Sequence, residues 1–562
     1  MLAWVRRILE KAPVVESCRI EVDHSREALV LSPECEHFLA LGAQAAKMGN
    51  HASAFEWYER ALQLAPDSSI AHCGAGWAAL GSGNIEAAND HFIFAQHYDG
   101  DSANAALGFS KVLELQGDTP RAMGVLDKAL LKHPEDPQLL FELARQRHRC
   151  GEYDAAVALL RRLLLIVPGS AEALNLLGLI LAREFGDLRA GEAEMRRALS
   201  QAPGLLAARS NLGWILSEQG RLVEALACFD AVIAATPDDA ETQLMRAYAH
   251  LKRGEFAAGW PDFEARHGSS LAVHRELPFK ECTVDGSLKG KTILVYAEQG
   301  LGDQIMFASC IPDLLKTDTK CVLECDERLA ALFRRSFPGV RVVPYTSPVA
   351  RPAWLEDSQS IELKVAAGSL PGRFRRQWED FPEHAGYLRP DPIKVERWKA
   401  RLALMGRGPY VGISWLGGAR QTRRQLRSIP LRQWESLLAI PGQYVSLQYG
   451  ECDDEISAFT AQTGLNLQHW NDSLADYDET AALVCALDLV ISVCTAVIHL
   501  AGALGKPVWV LTPATAEWRY LDHGERLPWY PSAKLFRQAK GESWDAVLQR
   551  AEVALKSFKG NP

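Results

Sequence analysis

The chain has 562 residues, 48% of them hydrophobic and 23% charged, with a formal net charge of −9 and a pI near 6.0. This is the composition of an ordinary globular protein, and its length implies roughly three or four folding units of about 150 residues each. The negative balance excludes a global attraction to nucleic acid or to an anionic membrane surface, so any anion site has to be local.

The N-terminal "MLAWVRRILEKAP" brings its Arg6–Arg7 pair almost to the start and lacks the apolar core and small-residue cleavage site of a signal peptide. Arg6, Arg7 and Lys11 are too few to dock a helix on a membrane. Residues 1–34 are therefore expected to form a helical cap. The twelve cysteines are scattered. Cys321 and Cys325 lie close together, but a C-x3-C on a strand-like run with no His nearby is a poor metal site. A reducing, cytoplasmic setting without metal, disulfide or cofactor is expected.

Residues 35–268 repeat. Pro66, Pro134, Pro168, Pro203 and Pro237 follow one another at 68, 34, 35 and 34 residues, and 68 is twice 34. Each unit carries a small residue on a first helix (Gly42, Gly76, Ser110, Ala144, Gly178, Gly213, Ala247). A turn glycine comes next (Gly49, Gly83, Gly117, Gly151, Gly186, Gly220, Gly254). A second helix then places Ala and a large apolar residue four apart, as in Ala54/Tyr58, Ala88/Phe92 and Ala225/Phe229. Small residues let paired helices approach, and the large ones fill the space to the next unit. The pattern resembles the tetratricopeptide repeat, in about seven copies, which implies an all-α superhelix whose groove binds polypeptide. The alternative is an array that only stiffens or dimerises the protein.

Residues 269–290 lose the repeat and read as a connector. Beyond them "KTILVYAE", "KCVLEC" and "VRVVPY" are short strand-like runs separated by helical stretches, and "PYVGISW", "QYVSLQY", "LNLQHW", "LDLVISV" and "PVWVLT" form a second series. Two doubly wound, Rossmann-like domains are expected, 291–395 and 396–562, with clefts at the carboxyl ends of their strands. The longest apolar run, Leu489 to Gly505, contains His499 and small residues and reads as a buried strand and helix, with no membrane span.

Four motifs fall at such strand ends. In "VYAEQGLGDQIMFASC" Gly300 and Gly302 open a helix whose N–H groups suit an anion, yet Asp303 stands where a P-loop would place Lys. A dinucleotide fingerprint is disfavoured, because Ile305 occupies the third glycine position, although Asp326 is spaced for a ribose. In "WLGGARQTRRQLRSIPL" Gly417 and Gly418 bend a loop bearing Arg420, Arg423, Arg424 and Arg427, and Arg suits bidentate phosphate contact. Arg427 is the leading member; the plain alternative is a solvated basic loop. In "ISVCTAVIHLAGALGKP" Thr495 is placed to cap the next helix, with His499 one turn inside. These are the parts of a diphosphate seat, or else a plain N-cap with a packed His. Gln448 and Tyr449 end "YVSLQY" on the same side and could meet a base or ribose. The D-x-D at Asp476-Tyr-Asp478 precedes "ETAALVCA" and reads as a helix cap.

Taken as a set, "EQGLGDQIMFASCIPDL", "VGISWLGG", "RSIPL", "DLVISVCTAVIHLAGALGKPVWVL" and "EWRYLDHGERLPWYPSAKLFRQ" resemble the GT-B glycosyltransferases. They are similar above all to the heptosyltransferase-like form fused to tetratricopeptide repeats, a layout found in O-GlcNAc transferases and in bacterial enzymes that glycosylate flagellin. The resemblance implies an α/β GT-B fold after the superhelix, and a metal-independent, inverting transfer of sugar from a nucleotide-sugar to a Ser/Thr hydroxyl. The protein acceptor, by the same resemblance flagellin, is delivered by the repeats. It implies Asp303 as base, and places Gly300, Gly302, Gln304, Ser414, Trp415, Arg423, Arg427, Gln448, Tyr449, Cys494, Thr495, Ala496 and His499 around the donor. Helix capping is the rival role for Asp303. Relatives often carry Asp where this chain has Cys494, which leaves room for a donor that itself bears a carboxylate, such as a CMP-nonulosonic acid. A scaffold that has lost activity, and a transferase acting on a glycan or lipid acceptor, are the alternative readings.

Overall fold

The computed structural model describes residues 31–270, 277–282, 286, 288–346, 353–358, 360–418, 424–474 and 476–558. Most of the expected N-terminal cap, and Arg420 and Arg423 of the basic loop, lie outside the described residues.

Every turn glycine of the repeats adopts the left-handed conformation, with φ from 72° at Gly186 to 85° at Gly117, so the chain reverses there at little steric cost. The helices start where Ser, Asn or Asp caps them: the side chains of Ser32, Asn50, Ser68, Asn84, Ser102, Asp118, Asp136, Ser170 and Asp187 each accept from the first turn. Within the pairs and from one pair to the next the small-to-large fit is tight. A Cβ on Gly42 would lie 2.9 Å from Tyr58 Cε1, and one on Gly108 would lie 2.0 Å from Phe92 Cε1. Tyr58, Phe92, Leu126, Leu160 and Met195 are buried accordingly.

Two compact units divide the described chain between Glu218 and Gln219, inside the repeat array and ahead of its end at 268. The first is the tetratricopeptide superhelix, from helix Pro33–Lys47 to helix Leu206–Glu218. The second opens with the last repeat helices, Leu222–Ala235, Ala240–Lys252 and Phe256–Phe263, and continues into two sheets.

The first sheet holds β1 (Lys280–Glu281), β2 (Thr292–Tyr296), β3 (Lys320–Asp326), β4 (Arg341–Tyr345) and β5 (Leu363–Ala366) in the order β1-β5-β2-β3-β4. The second holds β6 (Tyr410–Ser414), β7 (Gln443–Ser446), β8 (Gln468–His469), β9 (Leu489–Val493), β10 (Val508–Thr512), β11 (Arg526–Leu527) and β12 (Tyr530–Arg537), in the order β11-β12-β10-β9-β6-β7-β8. All pairings are parallel except β11 with β12. From β8 to β12 the second sheet runs 3-2-1-4-5-6, the doubly wound dinucleotide-fold order, and the first sheet reproduces its 3-2-1-4 part. Both β9 and β10 are buried at every position, as strands covered on two faces must be.

The two α/β halves share one apolar core with the last repeat: Leu244, Trp260 and Phe263 join Phe307, Trp518, Trp529 and Tyr530. The linker between the halves is stitched to both, since Tyr387 donates its hydroxyl to Ile305 O at 2.7 Å and its N–H to Ala503 O at 2.8 Å. Arg335 of the first half forks onto Asp478 of the second at 2.7 and 3.0 Å. Asp476 caps its helix by accepting from Asp478 N, so the D-x-D is spent on a cap and an ion pair. No helix among the described residues is long and apolar enough to cross a membrane.

Candidate functional site

In a doubly wound sheet the crevice opens where neighbouring strands send their connections to opposite sides, which here is the carboxyl end of β6 and β9. The loop leaving β6 folds back on itself there. Ile429 N donates to Trp415 O at 2.9 Å, Gly417 N donates to Ser428 Oγ at 3.0 Å, and a Cβ on Gly417 would come within 2.8 Å of Arg427 Cγ. This fold-back carries Arg427 across the crevice, where Nη1 donates to Cys494 O at 3.0 Å. The guanidinium therefore bridges the strand ends. Thr495 occupies the N-cap of helix Ala496–Ala503, but its hydroxyl meets Ser492 Oγ at 3.1 Å and makes no bond to the helix N–H groups. The cap position is as expected; the capping bond is absent.

The other wall comes from the first half. Helix Leu301–Ala308 starts at Gly300, which is its N-cap, so Asp303 lies inside the first turn and does not cap it. Gly302 is needed for space: a Cβ there would sit 2.9 Å from His499 Cδ2 and 3.5 Å from Ala496 Cα. The two helix starts thus meet face to face. His499 is 5% exposed, its Nδ1 lies 3.0 Å from Tyr530 Oη, and burial lowers its pKa to about 3, with Arg519 and Arg427 pushing the same way. Its imidazole is neutral and packed in the seam.

Asp303 meets Arg519, whose Nε donates to Oδ1 at 2.6 Å and whose Nη2 closes on the same oxygen; Nη1 reaches Glu517 at 3.3 Å. Burial raises the Asp303 carboxyl above the ordinary carboxylate range; Arg519 pulls it back, and Glu517 and Glu298 add to the rise. Cys494 is buried, its thiol pushed up to about 12 by burial, and it contributes no formal charge beside Arg427. Tyr449 stacks on Tyr477 with ring centroids 5.6 Å apart, bonds Thr480 Oγ1 at 2.9 Å, and keeps 36% of its surface exposed, a flat aromatic face at the end of β7.

The sequence-expected residues sort into two groups. Gly300, Gly302, Asp303, Arg427, Cys494, Thr495, Ala496 and His499 converge on the crevice. Gln448 and Gln304 brace it from inside. Gln448 Oε1 accepts from Ser414 Oγ, Trp415 N and Leu416 N at 2.9–3.1 Å, while Gln304 donates to Gln299 O and Tyr345 Oη and accepts from Asp326 N. Ser414 and Trp415 are buried with them. Asp326 caps the turn Glu327–Leu329 and pairs with Arg328. Sequence reasoning gave no role to Arg519, Glu517 or Tyr520, although all three stand in the tail segment "EWRYLDHGERLPWYP". Their relevance comes from the distant Asp303 and Cys494, which no local spacing encodes.

Family models of the tetratricopeptide repeat match residues 40–68, 73–139, 113–180 and 182–251. Among solved structures, a tetratricopeptide repeat protein from Parabacteroides merdae is 16% identical, covering 42% of this chain and 94% of its own, with a TM-score of 0.35. The Cut9–Hcn1 hetero-tetramer of the APC/C is 15% identical, covering 47% of this chain and 51% of its own, with a TM-score of 0.38. Protein FlbA of Caulobacter vibrioides is 31% identical over 540 residues, which span 93% of this chain and 84% of its own. An alignment of that extent takes in the repeats and both α/β halves, and the chain belongs to the family of Protein FlbA.

Proposed function

We propose that the protein is a GT-B glycosyltransferase that moves a sugar from a nucleotide-sugar to a Ser/Thr hydroxyl of a protein acceptor, flagellin in the first instance, bound by the repeats. The observation that carries this reading is the crevice: an anion-friendly helix start and Arg427 on one wall, and the half-buried Asp303 carboxylate on the other, joined where Gly302 meets His499. In an inverting transfer the attacking hydroxyl loses its proton on one side while the nucleotide phosphate leaves from the other. A carboxylate raised by burial is a better base than an exposed one. Backbone N–H groups at Ala496 and Val497, with Arg427 beside them, supply charge for the leaving phosphate without calling on a metal. The neutral Cys494 favours a donor that carries its own carboxylate, such as a CMP-nonulosonic acid. Repeats that hold polypeptide would supply the acceptor, on the cytoplasmic side before export.

The test is a thermal-shift screen of the purified protein against CMP, UDP, GDP and ADP, repeated with Arg427→Ala and Thr495→Ala, followed by transfer assays with the stabilising nucleotide's sugars. One nucleotide should stabilise the parent, and both variants should lose the shift. No shift with any nucleotide at millimolar concentration would leave a repeat-based scaffold as the better account. Transfer to a glycan or lipid in place of a protein would keep the enzyme and remove the acceptor assignment.

A further inference from the structure

The second compact unit begins at Gln219, so the last repeats pack with the α/β halves. Contacts from this segment hold both partners of the Asp303–Arg519 pair. Arg266, 5% exposed in the turn Glu264–His267 that follows the last repeat helix, donates to the Glu298 carboxylate at 2.9 and 2.8 Å. Glu298 stands two residues before Gly300 and also accepts from Gly368 N at 3.0 Å, so the loop that aims Asp303 is anchored to the end of the array. The other arm reaches Arg519. Asp522 N donates to Lys252 O at 2.9 Å, and Trp518 meets Phe263 and Trp260 edge-on at 5.6 and 5.7 Å. The turn Trp518–Tyr520 between these contacts carries Arg519, whose guanidinium lies 4.7 Å over the Trp518 ring.

That turn is under constraint. Leu521 closes it at φ 58° and ψ 177°, a conformation that a residue other than glycine keeps only when its surroundings impose it. Arg537 of β12 supplies part of the constraint by donating to Leu521 O at 3.1 Å and Gly524 O at 2.6 Å; the last repeat supplies the rest. Tyr248, on helix Ala240–Lys252, packs its ring 6.2 Å from Phe263, which in turn meets Trp518 at 5.6 Å.

We infer that the last repeat is part of the catalytic apparatus: Arg519 is a positioning residue for Asp303, Arg266 positions the loop of Asp303 through Glu298, and Tyr248 positions Arg519 through Phe263 and Trp518. This rests on Asp303 being the base. The bulk of the Tyr248 ring matters more than its hydroxyl, because the ring makes the contact with Phe263.

The experiment uses the full chain and compares Tyr248→Ala, Tyr248→Phe and Tyr248→Leu, each with and without Asp303→Asn. The first readout is the thermal midpoint against pH, which needs no substrate. A carboxyl raised in the folded state contributes stability that is full below its unfolded pKa and is lost as pH rises through the folded one. The midpoint difference made by Asp303→Asn should therefore vary with pH above about 4. This variation should move to higher pH in Tyr248→Ala, because a loosened Arg519 no longer pulls the carboxyl down, and keep its parental place in Tyr248→Phe. Tyr248→Leu, which keeps part of the bulk, should fall between them and serves if the alanine variant does not fold. The second readout is the pH–rate profile of transfer: its acid limb should move the same way in Tyr248→Ala, with the rate at pH 7 down about tenfold and the donor KM unchanged. Identical midpoint profiles in all three variants would overturn the positioning. Shifted midpoints with transfer undiminished in Asp303→Asn would overturn the base reading beneath it and leave the structural coupling standing.

Discussion

Replacing Gly302 by Ala tests whether the two helix starts meet as closely as the site requires. Two effects oppose each other. Alanine is about 1 kcal/mol better than glycine inside a helix, and position 302 is helical, so propensity alone forecasts a gain. Against it, the new Cβ would sit 2.9 Å from His499 Cδ2, where carbon atoms prefer about 3.5–4.0 Å. His499 has little freedom to yield, being 5% exposed and held at 3.0 Å by Tyr530 Oη. Overpacking of this kind costs about 1–3 kcal/mol, so the net is a loss of about 1 kcal/mol for Ala, and Val, with two further carbons, should lose about 3 kcal/mol. Urea unfolding followed by tryptophan emission, with m unchanged, reads this as a lower midpoint for the second unit. The nucleotide-induced shift should fall in parallel, since the helix start at Thr495 is displaced. A higher midpoint for Gly302→Ala would show that helix propensity wins and that the close approach across the crevice is wrong.

His499, buried neutral with a pKa of about 3 against 6.5 for the free side chain, contributes stability that is full above pH 6.5 and is lost as pH falls toward 3. The ceiling is about 5 kcal/mol, and His499→Gln should flatten the acid limb of the midpoint-versus-pH curve over that window. In the repeat unit, Phe92 is fully buried between Gly76 and Gly108, so Phe92→Ala should cost about 3–5 kcal/mol by calorimetry; a loss under about 1 kcal/mol would contradict the close fit. Arg335→Ala leaves the buried Asp478 with Lys394 at 3.1 Å and should lower the midpoint of the second unit by about 1–3 kcal/mol, less at acid pH, where Asp478 is protonated; an unchanged midpoint at pH 7 would place the pair among inert surface contacts.

The repeats were legible because their chemistry is local and periodic: a capping side chain, a small residue, a left-handed glycine and a large apolar residue return at fixed spacing, and each acts within its own helix pair or the next. The strands β2, β3, β4, β6, β7, β8, β9 and β10 were legible as apolar runs. β5, "LKVA", is too short and too polar to stand out, and β12, "YPSAKLFR", has Pro and Ser at its second and third positions where a central strand would not; its buried face shows only once it pairs with β10. At the strand ends, turns and helix starts marked by glycine or a cap residue were readable as places in the fold: Gly300 to Asp303, the fold-back to Arg427, the start at Thr495. Amide side chains were not. Gln448 and Gln304 look like ligands because a brace and a ligand both call for a polar group at the carboxyl end of a strand, and only the hydrogen-bond partners tell them apart. Arg519 stands 216 residues from Asp303, so nothing in the spacing of either joins them.

The sequence pattern and the fold also cut the chain at different places, and for a physical reason. Periodicity continues to residue 268 because the helices there obey the same local rules as those before them. Packing changes earlier, at Gln219, because Leu244, Trp260 and Phe263 bury their apolar faces in a core shared with Phe307, Trp518 and Trp529. A deletion drawn at the end of the periodicity, residues 35–268, would strip Trp260 from that core and Arg266 from Glu298, two residues before Gly300. Its loss of activity would say nothing about acceptor binding. A deletion ending at 218 leaves those contacts in place. If the repeats act by holding a protein acceptor, that shorter deletion should retain the nucleotide-induced thermal shift and donor hydrolysis while losing transfer to protein. Retained transfer to protein would mean that the acceptor is recognised within residues 219–562, and that the array before them serves another purpose.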